Sequence, residues 1–470
     1  MLPGPSKLAL RLSCKQLKWE IDNLLGLKVE LPVKDLSELN CENFEWIKQS
    51  LIRRLTISND FFGNHCVHSA SACTSFLENA KFINLSRLSL SHLNIKYEGE
   101  LISILIAVSS INSLNELSLD FVLYIEEDNS INSASTAMES HYNFPNLTAF
   151  NLNYNVVGYN YNYDSDGSAD STNANHECSY MKCFHQMCCP QLKSLSVSLW
   201  QEGCNPRAHF LIWYLELLEK VSSSLNYLKI KVVSLQSYHN RHERETNTAT
   251  DERAVNIGSR FKNLKELDVD LSSALCDEND HLISTLVSGW MHLFHGMRIY
   301  LEKLTVNFRE SRTCELYRQY ELFAKNSHPN LKYLSVVWNH FPLDWKLITE
   351  LSDQLITLEM RPHGGFNNGV KNFEHIPLSL KKIVLFEVGR TVGDWAFVKK
   401  LISTRESLIV QYDELINIKK ATYMGVFLTK PNFIWKQIKY KNKREWRAAF
   451  ALCDKFDIPL GKLHRNEYYC

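Results

Sequence analysis

Six thiol and imidazole groups crowd into one stretch, HECSYMKCFHQMCC, where His176, Cys178, Cys183, His185, Cys188 and Cys189 lie within fourteen residues. Thiolates and imidazoles are the ligands of tetrahedral zinc, so the donors for a metal are present. Their spacing matches no zinc knuckle, and Cys189 opens a phrase that recurs along the chain with Phe144, Phe261 and His328 in the same place. The segment therefore reads as core and surface thiols, with no metal and no cofactor. A second stretch, DSDGSAD, offers Asp164, Asp166 and Asp170 around a glycine. It lacks the closing glutamate of a complete calcium loop and reads as a solvated acidic loop.

The basic tail KQIKYKNKREWRAAF interleaves Lys436, Lys439, Lys441, Lys443, Arg444 and Arg447 with Trp435, Tyr440 and Trp446. Such a mixture can hold phosphates and stack bases. In REWRAAFALCDKF, however, Trp446, Ala449, Phe450 and Cys453 fall at helical spacing. That suits an amphipathic helix closing the end of a stack of repeats, so nucleic acid is the weaker reading. The sequence has no phosphate-cradling glycine loop, no H-E-x-x-H, no G-x-S-x-G and no dinucleotide fingerprint. No catalytic residue is expected, and the chain reads as a binding protein rather than an enzyme.

The elements that must position any binding residues are declared by a repeated phrase. LSRLSL (85–90), LNELSL (114–119), FPNLTAFNL (144–152), CPQLKSLSV (189–197), SSLNYLKI (223–230), FKNLKELDV (261–269), LEKLTV (301–306), HPNLKYLSV (328–336), QLITLEM (354–360) and LSLKKIVL (378–385) share the form L-x-x-L-x-Φ, with Φ apolar. The last two apolar positions alternate with polar ones, as a half-buried strand requires, and the first leucine turns in from the preceding loop. Blocks such as GELISILIAVSSI and RAHFLIWYLELLEKV lie between phrases and are too long and too densely apolar for strands. Each repeat is predicted to be strand, loop, helix. The fold class is α/β, a leucine-rich-repeat solenoid with a curved parallel sheet on its concave side and helices on its convex side.

The solenoid is expected over residues 31–425, with polar loop insertions near 126–143, 153–177 and 237–253, followed by a capping segment over 426–470. The 52 Lys and Arg balance the 52 Asp and Glu, so the molecule has no overall electrostatic pull towards nucleic acid or an anionic membrane. Its longest strongly apolar run, Leu101 to Ile111, is about half of the roughly 20 residues a membrane helix needs. With no signal-peptide pattern at the start and 13 cysteines in no framework, the expected location is intracellular, cytoplasmic or nuclear.

Alternation also nominates contact residues. The polar positions flanking the inward apolar ones place Ser118, Asp120, Ser196, Ser198, Lys229, Lys231, Asp268, Asp270, Ser335 and Glu359 on the concave face as candidate substrate-facing residues. Trp200, Trp338 and Trp345, near strand ends, are candidate anchors or core residues.

The start of the chain adds a resemblance. LALRLSCKQLKWEIDNLLGLKVEL reads as a helix with Leu8, Leu12, Leu17 and Ile21 towards its apolar side, leading into a short strand LKVEL. Leu10, Arg11, Leu12, Cys14 and Lys15 match the phrase that ends an F-box, and the chain resembles fungal-type F-box proteins with leucine-rich repeats. The match covers residues 6–25 within a partial F-box-like segment at 1–30. Only Leu2, Pro3 and Pro5 stand where the family's first segment would be, so the F-box is read as truncated or degenerate in its N-terminal half.

The resemblance implies a substrate receptor of an SCF-type ubiquitin ligase, in the ubiquitin-conjugation pathway. Leu8, Leu10, Leu12, Cys14 and Leu17 would meet a Skp-type adaptor of the cullin complex, and the repeats would hold an unknown protein substrate. The alternative is a leucine-rich-repeat scaffold unrelated to ubiquitin.

Overall fold

A computed structural model of the chain describes residues 27–32, 52–59, 69–80, 82–95, 98–125, 142–158, 183–184, 186–202, 209–233, 248–270, 293, 296–297, 300–307, 328–339, 345–363, 372–385, 397, 400–401, 403–405, 407–415, 433–440, 447 and 463–465. Two compact units divide it close to Leu225.

In the first unit, β1 (Leu27–Pro32), β2 (Ile52–Ser58), β3 (Arg87–Ile95), β4 (Glu116–Ile125), β6 (Ala149–Gly158) and β8 (Ser194–Glu202) pair in that order, every pair parallel. The short strands β5 (Tyr142–Asn143) and β7 (Met187–Cys188) pair separately. Its helices are α1 (Ser69–Asn79), α2 (Glu98–Ser109) and α3 (His209–Val221).

The second unit holds β9 (Tyr227–Val233), β10 (Glu266–Asp270), β11 (Lys303–Asn307), β12 (Tyr333–Asn339), β13 (Thr357–His363), β14 (Lys382–Leu385), β15 (Ile409–Leu415), β16 (Phe433–Tyr440) and β17 (Leu463–Arg465). These too pair parallel and in chain order. Among the described residues its helices include α4 (Thr248–Ser259) and α5 (Trp345–Leu351). Parallel neighbours need a crossover between them, and among the described residues α1 to α5 each stand in one such connection. The chain is thus α/β, with long parallel sheets whose strands are joined in order, as in a solenoid-like repeat fold.

Each sequence phrase becomes a strand because its apolar positions share one side. Leu88 and Leu90, Leu117 and Leu119, Leu195 and Val197, Leu228 and Ile230, Leu267 and Val269, and Leu334 and Val336 are all buried. Burial of each such side chain contributes about 2 kcal/mol. The first leucine of the phrase is buried by a tight turn that also recurs. The Leu114, Leu147, Leu192, Leu264 and Leu331 amides donate to the carbonyls of Ile111, Phe144, Cys189, Phe261 and His328, three residues earlier.

A second backbone device ties one repeat to the next. The Asn115 carbonyl accepts from both the Thr148 and Ala149 amides, at 2.8 and 3.1 Å. The same forked bond recurs from Thr148 to Lys193 and Ser194, from Asn226 to Lys265 and Glu266, from Lys265 to Glu302 and Lys303, and from Glu302 to Lys332 and Tyr333. Both arms of the fork are backbone N–H groups, so it does not depend on the side chains at those positions, although the Thr148 hydroxyl also donates to the Asn115 carbonyl at 3.1 Å.

Among the helices, α2 buries Leu101, Ile104, Leu105, Ala107 and Val108 and packs on α1. In the second unit the backbones at Gly258, in α4, and Gly296 approach so closely that a Cβ on Gly296 would lie 2.6 Å from the Val255 carbonyl oxygen and 2.7 Å from the Gly258 Cα. Phe121 meets Tyr154 edge to face at 5.4 Å and stacks with Phe184 at 6.2 Å, knitting β4, β6 and the segment before β7 together. No described helix is long and apolar enough to cross a membrane.

Several sequence boundaries move. The insertion expected over 126–143 contributes β5 at its end, β6 runs through to Gly158 into the one expected over 153–177, and α4 begins at Thr248 inside the one expected over 237–253. In each case backbone pairing or helix packing extends an element past the point where apolar periodicity fades. Strands β16 and β17 lie within residues 426–470, so the basic stretch KQIKY is sheet. The rest of the three insertions and nearly all of the helix expected over REWRAAFALCDKF lie outside the described residues.

Candidate functional site

With one side of each strand buried, the other side carries rows of polar residues fixed by register. In the first unit Thr56, Ser89, Ser118, Asn151 and Ser196 form one row across β2, β3, β4, β6 and β8. Asp120, Asn153 and Ser198 form the next. In the second unit Lys229, Asp268, Thr305, Ser335 and Glu359 line up, and Lys231, Asp270 and Asn307 lie beside them. All the sequence-nominated residues Ser118, Asp120, Ser196, Ser198, Lys229, Lys231, Asp268, Asp270, Ser335 and Glu359 are half-buried, and each follows a deeply buried residue in its strand.

Register also joins these residues in ways alternation alone does not show. Lys229 Nζ stands 3.1 Å from Asp268 Oδ2, and Lys231 Nζ 4.0 Å from Asp270 Oδ2. Burial, which would lower the Lys229 ammonium, is outweighed by Asp268, so Lys229 titrates above the usual lysine range. One row towards the strand starts, Lys303 pairs with Glu266 at 3.2 Å and lies 5.3 Å from the centre of the Tyr333 ring. The Tyr333 phenol is pushed well above its ordinary range by burial and by the Glu359 carboxylate, to which its hydroxyl donates. Exposed cross-strand pairs of this kind contribute up to about 1 kcal/mol each, enough to order the face but not to create the fold.

The first unit is different. Its row Thr56, Ser89, Ser118, Asn151 and Ser196 bears no charge, and Asn151 Nδ2 donates to Ser118 Oγ at 3.1 Å. The next row contains Asp120, whose Oδ1 accepts from Asn153 Nδ2 at 3.1 Å and whose Oδ2 lies 3.3 Å from His92 Nδ1. His92 was not among the sequence candidates. It occupies a register shift between Leu90 and Leu93 of β3, where an extra residue enters the strand, and its φ is 58°. A left-handed backbone at a residue with a Cβ costs on the order of 1 kcal/mol and is held by its surroundings. Burial raises the Asp120 carboxyl above the usual carboxylate range, against the pull of His92 and the Asn153 hydrogen bond.

At the strand-start edge of the second unit, Lys262, Asn263, Lys265, Tyr300, Glu302, Asn330 and Lys332 surround a shallow depression of about 250 Å³. Glu302 lies 3.3 Å from Lys265 and 3.5 Å from Lys332, and the hydrogen bond and charge of Lys265, with Lys332 behind, hold its carboxyl below the usual range.

The other sequence candidates separate. Trp345 is fully buried and meets Phe373 at 6.5 Å, which makes it a core residue and removes it as an exposed anchor. Trp200 and Trp338 lie in β8 and β12, with their side chains outside the described residues. Cys183 is buried, Cys188 exposed and Cys189 half-buried, all as free thiols. Burial, with Cys188 beside it, pushes the Cys189 thiol up to about 12. Among the described residues no group of three or more His, Cys, Asp or Glu is placed to hold a metal ion. His176, Cys178, His185, Asp164, Asp166 and Asp170 lie outside them, as do Leu8, Leu10, Leu12, Cys14 and Leu17 of the F-box-like stretch.

No known family model matches the chain, and no curated protein does. Solved structures do match, among them that of a structural-genomics target protein from Bacteroides fragilis. It is 11% identical, with 87% of this chain and 82% of that chain covered at a TM-score of 0.30.

Proposed function

We propose that this chain is a leucine-rich-repeat protein that binds other proteins across the polar face of its sheets, and that it serves as the substrate receptor of an SCF-type ubiquitin ligase. The binding reading is supported above all by the registered rows. Side chains from many successive strands stand half-exposed on one face while their neighbours in sequence are buried. Such a face offers hydrogen bonds and paired charges over a broad area, the means of recognising a protein surface. Catalysis would belong to other subunits, and the receptor would work in the cytoplasm or nucleus. The ubiquitin reading rests on the resemblance of Leu10, Arg11, Leu12, Cys14 and Lys15 to the end of an F-box.

Pull-down of the chain with a purified Skp-type adaptor tests the receptor, beside a variant carrying Leu10→Asp, Leu12→Asp and Leu17→Asp. Capture by the wild type, lost in the variant, is the expected result. Absence of capture by both would leave a repeat scaffold. The face is tested separately with Ser118→Lys and Ser196→Lys: proteins crosslinked to the wild type in its native cell are expected to be lost from this variant.

A further inference from the structure

The carboxylates on this polar face are unequally provided for. Glu116 has Arg87 at 2.8 Å, Glu266 has Lys303, Asp268 has Lys229 and Asp270 has Lys231. Asp120 has a histidine instead, and the rows around it hold serine, threonine and asparagine. Its side chain is only 20% exposed. A half-buried carboxylate without a permanent cation is costly when charged, which is why burial heads the causes that raise its proton affinity. The arrangement is also built. A strand bulge and a left-handed histidine are needed to turn His92 Nδ1 onto Asp120 Oδ2, and bulges and strained backbones of this type gather where a side chain is aimed for use.

We propose that Asp120, set between His92 and Asn153, is the anchor point for an arginine of the bound protein. This inference rests on the polar face being the binding surface and names the chemistry it selects there. A carboxylate has about four lone-pair sites, and Asn153 Nδ2, His92 Nδ1 and the His92 backbone amide use three, leaving one acceptor for a guanidinium N–H. The planar fork of arginine can engage a carboxylate while its other N–H groups reach neighbouring hydroxyl and amide oxygens, which the rows of Ser89, Ser118 and Asn151 provide. Lysine, with a compact and strongly hydrated charge, gains less from such neighbours. In the second unit Glu266, Asp268 and Asp270 already face lysines across the strands, and Glu359 accepts from the Tyr333 hydroxyl.

The test uses the full chain and a fluorescein-labelled Ser-Arg-Ser-Gly peptide, read by fluorescence anisotropy beside the same peptide with citrulline in place of arginine. Wild type is expected to bind the arginine peptide at least about tenfold more tightly than the citrulline peptide. Asp120→Asn is expected to lose that preference, and Glu78→Gln, at an exposed carboxylate of helix α1, to keep it within about twofold. Asn153→Asp, which sets a second carboxylate beside the first, is expected to tighten arginine binding, and it carries the test if Asp120→Asn fails to fold. Equal binding of both peptides, no binding by the wild type, or an Asp120→Asn chain that binds like the wild type overturns the proposal. If the arginine peptide fails while Ser118→Lys and Ser196→Lys still abolish partner crosslinking, the face stands and only the arginine anchor falls. If that crosslinking is unchanged as well, the face itself falls.

Discussion

His92 shows what one residue costs and what it gives. A β-branched side chain is poorly tolerated at a φ of 58°, so His92→Val is expected to lower unfolding free energy by about 1–2 kcal/mol in urea denaturation. His92→Gly, free of the Cβ clash, is expected to stay within about 1 kcal/mol of the wild type. A phase slip in the sequence LSLSHLNI could have announced the bulge: Leu88 and Leu90 keep one alternation, Leu93 and Ile95 another, with Ser91 and His92 both polar between them. The other face residues were legible because alternation alone sets them. Their pairing into Lys229–Asp268 and Lys231–Asp270 was not, since register across strands so far apart in sequence is decided by packing and turns.

Two further outcomes belong at this scale. Tyr333 keeps its proton more firmly folded than unfolded, so its contribution to stability is present below the ordinary tyrosine range and is lost as pH rises through its raised value. An alkaline titration followed by phenolate absorbance is expected to show a late-ionising component that disappears in Tyr333→Phe. Iodoacetamide labelling mapped by mass spectrometry is expected to modify the exposed Cys188 before the other described cysteines, Cys73, Cys183 and Cys189. Cys73, buried and with its thiol pushed up to about 12, should react only on unfolding, and early labelling of Cys73 would contradict its placement in the core.

Elements in this chain are set by the spaces between them as much as by propensity. Helix α4 is polar in sequence and was read partly as a loop, yet it is held against the segment at Leu293 to Met297, where Gly258 and Gly296 let two backbones meet. Gly258→Ala, whose Cβ would collide with the Leu293 carbonyl, is expected to lower the melting temperature by several degrees in calorimetry, equivalent to about 1–3 kcal/mol of overpacking. The position that opens each phrase illustrates the reverse case. Phe144, Phe261 and His328 fill the same place, and all three are buried. Emptying that place, Phe261→Ala, is expected to lower unfolding free energy by about 3–5 kcal/mol in urea denaturation.

Among the described residues each strand of the long parallel sheets bonds to the sheet strands before and after it in order, so stability should be distributed as a chain of neighbour terms. Leu117→Ala and Leu267→Ala each remove a fully buried side chain, at about 2–5 kcal/mol. Amide hydrogen exchange is expected to accelerate in β3, β4 and β6 for the first and in β9, β10 and β11 for the second. Uniform acceleration of every strand by either change would contradict neighbour-limited stability. This level was the most legible from sequence, because each repeated phrase carries its own turn, strand and buried leucines. Strand β2 carries the phrase with isoleucine in the first place, IRRLTI over 52–57, and escaped notice for that reason, whereas β15, β16 and β17 carry no clear copy and are recruited by a neighbour's unpaired edge.

The forked carbonyl bond between repeats has a consequence for how such a gene can change. It fixes how one phrase meets the next but is indifferent to what the chain does in between, and phrase-to-phrase distances here run from 24 residues between Leu331 and Leu355 to 45 between Leu147 and Leu192. Insertions and deletions in the connectors would leave every junction intact, whereas adding or losing one residue inside a phrase would turn a leucine out to water. Descendants of this chain would then diverge fastest in connector length and slowest in the beat of the phrase, keeping one architecture long after their sequences have ceased to align.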